Sequence, residues 1–189
     1  MNDIERLQAI VDGSDNIVFF GGAGVSTESG IPDFRSTDGL YHQKYDYPPE
    51  TILSAEFYYN HTEEFFRFYR DKLIVPNVKP NKAHTALARL EEAGKLKAVI
   101  TQNIDGLHQM AGSKRVYELH GSVLRNYCES CGKAYGVEKI AQSKGIPVCD
   151  ECGSRIKPDV VLYGEMLDDD CIRGAADAVS KADTLIIGG

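Results

Sequence analysis

Four of the five cysteines fall in two pairs, Cys128-x2-Cys131 and Cys149-x2-Cys152, with 17 residues between the pairs. This is the spacing of a four-cysteine zinc site. Each pair turns two thiolates toward one ion, and two pairs complete a tetrahedron. Gly132 and Gly153 follow the second cysteine of each pair, where the chain must turn tightly. Protein fills all four positions and leaves none for water, so the ion would be structural and not catalytic. Two redox dithiols are the rival reading, although a redox motif does not need a second pair at this separation. Cys171 lies in a helical stretch and reads as a small buried hydrophobe.

A second chemical stretch runs from Ile17 to Arg35. Ile17, Val18, Phe19 and Phe20 lead straight into Gly21, Gly22, Ala23 and Gly24. An unbroken apolar run suits a parallel strand buried on both faces. Glycines directly after it let the backbone approach a ligand closely, and such a junction is where a nucleotide's phosphates sit in open α/β sheets. A tight turn without a ligand would read the same way. A hydride-transfer fingerprint, G-x-G-x-x-G with an acid about 20 residues later, fits poorly. Gly22 and Gly24 match, but the third position is Thr27, and Tyr45 to Pro49 reads as loop. A lone histidine, His120, precedes Gly121; taken alone it reads more readily as structural than as catalytic.

The elements that would carry these residues alternate. Ile4, Leu7, Ile10 and Val11 recur at helical spacing behind Asn2 or Asp3, and Gly13 ends that helix. A turn-rich segment follows Arg35. His61 to Val75 returns to helical spacing, with Phe65, Phe66, Phe68, Tyr69 and Leu73 as an apolar stripe that reads as core. Asn81 caps a helix through Ala93, closed by Gly94, and Lys97 to Thr101 forms a second buried strand. Asp168, Asp169 and Asp170 open a third helix, where acids suit the dipole, and Thr184 to Ile187 form a third strand. The pattern predicts an α/β fold: a Rossmann-like parallel sheet with helices on both faces, plus a small inserted zinc-ribbon domain. The strand that runs into Gly188-Gly189 lacks a following helix, so the chain reads as a truncated domain.

Net charge is −7, from 28 acids and 21 bases. That argues against nucleic-acid binding, which shows as basic excess, and suits a basic peptide better. No run approaches a membrane span, the N-terminus lacks a signal-peptide core, and paired cysteines of metal spacing fit a reducing compartment. The expectation is a cytoplasmic protein without a membrane partner.

Thr101-Gln102-Asn103-Ile104-Asp105-Gly106-Leu107-His108 follows the second strand, and Glu118-Leu119-His120-Gly121-Ser122 precedes the cysteines. With Gly22-Ala23-Gly24-Val25-Ser26, Ser29-Gly30-Ile31-Pro32-Asp33-Phe34-Arg35, and Lys157 to Glu165, these blocks resemble the sirtuin family of NAD-dependent protein deacylases, bacterial type. The likeness extends over residues 17 to 189 in the family's order.

The resemblance implies that NAD is consumed: nicotinamide leaves, and the acyl oxygen of an acyl-lysine attacks the exposed ribose carbon. His120 is implied as the general base, a role histidine suits because its ordinary pKa of ~6.5 lies near working pH. Asn103, with Gln102, would order the ribose and a water. Asp105 and the backbone at Ile104 would hold the nicotinamide carboxamide. Gly22, Ala23, Gly24 and Thr27 would line the phosphate turn. Asp33, Phe34 and Arg35 complete the implied cofactor set, with Phe34 covering the reacting face and Arg35 pairing with nucleotide oxygens. Val160, Val161, Tyr163, Gly164 and Glu165 would bind the acyl-lysine peptide. His42, His61, His84 and His108 carry no implied role, His108 being a structural partner at a helix start. Gly21 stands where many members have Thr or Ser, a change expected to be tolerated.

Members that remove acidic acyl groups carry a Tyr and an Arg three residues apart; Phe66 and Tyr69 stand at those positions here, so neutral short acyl groups such as acetyl are expected. The implied domains are a Rossmann-like unit of residues 1–35, 83–122 and 158–189, a loop and helical segment at 36–82, and a zinc module at 123–157. A phosphate-touching Thr/Ser pair and an adenosine-holding loop would lie beyond Gly189. Two rivals remain, protein mono-ADP-ribosyl transfer and an inactive NAD- or zinc-binding module.

Overall fold

The computed structural model describes residues 2–33 and 46–189. Phe34, Arg35 and His42 therefore lie outside the described residues. The elements, in order, are α1 (Asp3–Gly13), β1 (Ile17–Gly21), a 3-10 segment (Ala23–Ser29), α2 (Pro49–Ile52), α3 (Ala55–Asn60), α4 (Thr62–Phe68) with a π turn (Tyr69–Leu73), α5 (Lys82–Glu92), β2 (Leu96–Thr101), α6 (Leu107–Ala111), β3 (Val116–Glu118), β4 (Gly121–Cys128), β5 (Ala134–Tyr135), α7 (Val137–Ala141), β6 (Ile156–Val160), α8 (Asp169–Ser180) and β7 (Thr184–Gly188).

Four parallel strands form the larger sheet in the order β3-β2-β1-β7. β1 and, apart from the exposed Lys97 and the terminal Thr101, β2 are apolar because both their faces are covered. Ile17, Phe19 and Val99 pack with Leu87 and Leu90 of α5 on one side. Val18, Ala98 and Ile100 pack with Ala175 and Ala178 of α8 on the other. Helices thus cover both faces, as the alternating pattern predicts. Asn81 caps α5 by accepting from the Ala83 N–H, and Asp168 caps α8 by accepting from the Cys171 N–H.

The smaller sheet is antiparallel, β5-β4-β6. It shares a core with the helical segment: Phe65, Phe66, Phe68 and Tyr69 are fully buried with Ile52, Ile140 and Ile156. The aromatic stripe is core, as expected.

Several expectations are corrected. The helix expected over His61 to Val75 begins at Thr62 and widens at Tyr69 into a π turn that ends at Leu73. Ahead of it, Ser54 caps an unexpected helix, α3, which stops at His61, whose φ of −131° is not helical. The stripe of α1 is exposed: Ile4 by 79%, Leu7 by 53% and Ile10 by 52%. Polar links at its C-terminal end fix α1 instead. The Lys95 ammonium donates to the carbonyls of Val11, Asp12 and Ser14, and Ser14 Oγ lies 2.6 Å from Thr184 Oγ1. Cys171 is only half-buried. Glycine suits position 21, as expected, because a Cβ there would come 2.5 Å from the buried Phe19 ring. Among the described residues no helix is long and apolar enough to cross a membrane.

Candidate functional site

A cleft of about 340 Å³ opens where the C-terminal ends of β1 and β2 meet the β4–β6 sheet. This is the end of a parallel sheet at which ligands bind in open α/β folds. One wall holds Ala23, Ser26, Ile31 and Pro32, from the turn after β1. The floor holds Gln102, Asn103, Ile104, Asp105 and His120. The opposite wall is Val160 to Glu165, closed by Leu53, Lys72 and Leu73 from the helical segment.

The turn after β1 is held by hydrogen bonds that leave little slack. Gly22 N–H donates to the Gly188 carbonyl, and Gln102 N–H to the Gly21 carbonyl. The next seven residues wind as a 3-10 segment that ends at Gly30, whose φ of 85° a side chain would strain. From α5's cap, Asn81 Nδ2 reaches the Val25 carbonyl at 2.7 Å and Ser29 Oγ at 3.1 Å.

Behind the turn lies a polar network. Ser26, 1% exposed, donates from Oγ to Asp105 Oδ2 at 2.7 Å. Asn103 Nδ2 donates to the Gly22 carbonyl and to Ser26 Oγ. Asp105 Oδ1 accepts the Leu107 N–H at the start of α6. Each carboxylate oxygen retains a lone pair after these bonds, so Asp105 can still accept from a ligand amide.

His120 sits in the short link between β3 and β4, with its backbone carbonyl accepting the Val161 N–H. Its Nδ1 lies 3.0 Å from the Gln102 carbonyl oxygen. A carbonyl can only accept, so Nδ1 carries the proton and Nε2 keeps its lone pair. No described protein group engages Nε2, and the ring lines the cleft.

The Val160–Glu165 wall is tied on both sides. Tyr163 N–H donates to the Leu53 carbonyl, and Ala55 N–H to the Tyr163 carbonyl. Glu165 Oε2 accepts from the Leu162 N–H and pairs with Lys157 at 3.1 Å.

Of the sequence-derived residues, the structure brings Ala23, Gln102, Asn103, Ile104, Asp105, His120, Val160, Val161, Tyr163, Gly164 and Glu165 to this cleft. Gly22 and Gly24 lie in the same turn without lining it. Thr27 is exposed and its hydroxyl donates to the Gly24 carbonyl; Asp33 lies just past the lining Pro32. Sequence reasoning did not single out Ser26, Leu53, Lys72, Leu73, Leu162 or Leu167 as site residues. Ser26 carried a signal in its place inside the glycine turn, and Leu162 in its place within the Lys157–Glu165 block.

Phe66 and Tyr69 do not reach the cleft; both are fully buried in the aromatic core. Neighbouring guanidiniums are engaged elsewhere. Arg67 pairs with Glu64, and Arg70 donates to Ser143 Oγ and the Gly145 carbonyl.

The thiol sulfurs of Cys128, Cys131, Cys149 and Cys152 lie within 4.8 Å of one another, a set that fits a structural zinc site. Gly132 and Gly153 take φ of 72° and 73°, the tight turns expected after each pair. The Tyr135 hydroxyl, shared between Asp150 and Cys149 Sγ at 3.0 Å, and the backbone N–H groups of Cys152 and Glu151 draw the Cys149 thiol down to about 6, toward the thiolate a metal requires.

The profile of the Sir2 family matches residues 22–189. An "NAD-dependent protein deacetylase" of Clostridium perfringens is 65% identical over 188 residues, covering 98% of this chain and 77% of the relative. A protein of the same description from Clostridium acetobutylicum is 60% identical over 192 residues, covering 100% of this chain and 78% of the relative. Sir2 with a deacetylated p53 peptide and 3'-O-acetyl ADP ribose superposes with a TM-score of 0.89 at 44% identity, over 98% of this chain and 76% of that one. Sir2 with a p53 peptide and NAD+ superposes at 0.85 with 44% identity, over 98% and 75%.

Proposed function

This chain belongs to the Sir2 family and is an NAD-dependent protein deacetylase, and from that premise we propose how its own residues divide the work. His120 is the general base. The observation that carries this is the tautomer: a proton fixed on Nδ1 by the Gln102 carbonyl leaves Nε2 ready to take one in the cleft. NAD, when bound, would supply the ribose carbon that the acyl oxygen attacks as nicotinamide leaves, and the ribose hydroxyl that afterwards receives the acyl group.

The turn from Gly22 to Thr27 holds the phosphates with those backbone N–H groups not already spent on the Gly188 and Gly22 carbonyls. Asp105 and the Ile104 backbone hold the carboxamide, with Ser26 and the Leu107 N–H fixing the carboxylate's orientation. Asn103 and Gln102 position the ribose, while Asp33, Phe34 and Arg35 complete the cofactor side. The acyl-lysine peptide lies along Val160 to Glu165. For the division into a Rossmann-like unit (1–35, 83–122, 158–189), a helical segment (36–82) and a zinc module (123–157), the parallel sheet's own cores support the first unit, whereas the helical segment and the zinc module share one core that also takes in Val160 and Leu162.

The acyl chain is neutral and short. Ile31, Leu53, Leu73 and Leu162 wall the cleft, and the lysine that lines it among the described residues, Lys72, already pairs with Asp71 at 3.2 Å. An acidic acyl group would bury a carboxylate without a dedicated partner. The net charge of −7 supports a protein partner and not a nucleic acid, and the metal-type thiols support a reducing, cytoplasmic setting.

The test compares the zinc-loaded chain with His120→Ala on acetyl-lysine and succinyl-lysine peptides, following nicotinamide and acetylated ADP-ribose. Turnover of the acetyl peptide by the parent, lost in the variant, is expected. Acetyl turnover that survives His120→Ala would remove the base assignment, and faster succinyl turnover would remove the acyl assignment.

A further inference from the structure

We propose that Arg125 is a positioning residue for the acid–base step, holding the His120–Gly121 link by bridging Glu118 and Asp159 across it. The proposal rests on the reading of His120 as the base.

His120 is anchored at two points that belong to different sheets. Its ring hangs from the Gln102 carbonyl at the end of β2, and its backbone carbonyl is bonded to Val161 at the end of β6. The direction of the imidazole therefore depends on where β6 stands relative to β2. Arg125 spans this gap. Its Nη1 lies 2.6 Å from Glu118 Oε2 on β3, the strand paired with β2, and its Nε lies 2.8 Å from Asp159 Oδ2 on β6. One planar fork thus ties both anchoring strands, which a flexible ammonium cannot do with the same geometry.

Three further observations suit this role. The β4–β6 register jumps from Ser122↔Asp159 to Asn126↔Pro158, so residues 123–125 bulge out, and the bulge delivers Arg125 to the seam. The Glu118 side chain is only 9% exposed, although it is a carboxylate, and Arg125 is its ion-pair partner. Finally, Gly121 has φ of 75°, and a Cβ there would overlap the Asp159 carbonyl oxygen. The β6 backbone rests directly on the link, so movement of Asp159 carries to His120 without a side chain to absorb it.

In the proposed order nicotinamide leaves before His120 takes its proton. A misplaced imidazole therefore slows acyl transfer while leaving nicotinamide exchange near the parent rate. With the zinc-loaded chain, NAD, labelled nicotinamide and an acetyl-lysine peptide, Arg125→Gln is expected to lower deacetylation about 100-fold. Exchange and the KM for NAD should stay near parent values, and Arg125→Lys should fall between. Glu118→Gln, which removes the buried charge and keeps the fold's volume, should shift the ratio of the two rates in the same direction. Equal falls in both rates, in proportion to the folded fraction, would overturn the proposal, as would unchanged deacetylation. His120→Ala separates the two assignments. If it is silent while the ratio in the Arg125 and Glu118 variants stays put, Arg125 alone falls; if it still deacetylates, both fall.

Discussion

Acidification should unfold this protein through a pair of histidines that take no part in the proposed chemistry. His84 and His108 are 0% and 1% exposed, with ring centroids 4.7 Å apart behind the Asp105 loop. His84 Nδ1 accepts the Asn81 N–H, whereas His84 Nε2 and both ring nitrogens of His108 have no hydrogen-bond partner among the described residues. Burial, then the adjoining His84, pushes His108 down to about 4 against a weaker upward pull from Asp105; burial also lowers His84. Both folded values lie below the unfolded ~6.5, so the fold prefers the neutral rings. The stability they permit is complete above pH ~6.5 and is lost as the pH falls toward 4. At pH 5 the unfolded His108 gains from protonation across about 1.5 pH units, while the folded ring stays neutral. That amounts to about 2 kcal/mol lost relative to pH 7.5, and His84 adds to it. The assay is urea unfolding at pH 7.5 and pH 5 for the parent and for His108→Phe, which keeps a ring and removes the titrating group. The carboxylates titrate equally in both chains, so the difference isolates the ring. We expect the parent to lose about 2 kcal/mol more than the variant. Parallel losses in the two chains would refute the reasoning.

Metal removal by a chelator should unfold the β4–β6 sheet and the core it shares with the aromatic helix, read by circular dichroism and released zinc; Cys149→Ser should do the same without chelator. Gly121→Ala should cost more than about 2 kcal/mol, because φ is positive and the Asp159 carbonyl occupies the space, and thermal unfolding will show it. Asn81→Ala removes a helix cap and two bonds to the turn after β1; we expect about 1–2 kcal/mol of lost stability and a raised KM for NAD.

The parts that were legible in sequence are those whose spacing is itself the signal. Two cysteine pairs announce a tetrahedron, and Ile17 to Phe20 before glycines announces a buried strand and its turn. The rest depends on contacts between distant residues. Nothing around Ser26 shows that its hydroxyl meets Asp105, because a hydroxyl leaves no periodic trace. Lys72 and Leu73 reach the cleft through a π turn that helical spacing cannot anticipate. α1 shows that periodicity reports a face but not its cover, since Ile4, Leu7 and Ile10 remain open to solvent. β3 was missed because Val116-Tyr117-Glu118 is short, half-buried and carries a charge.

The pairing of β1 with β7 has a kinetic consequence. Ile17 lies against Thr184 and Gly21 against Gly188, so the central strand borders residues from nearly the opposite end of the sequence. The Gly22 N–H that opens the turn is bonded to the Gly188 carbonyl. Closing so long a loop is entropically slow, and a ribosome emits β1 long before β7 exists. The turn therefore acquires its shape late in folding, after the cysteine-rich portion has left the tunnel. A nascent chain halted before β7 would fold its metal-binding knuckles first and its nucleotide turn last.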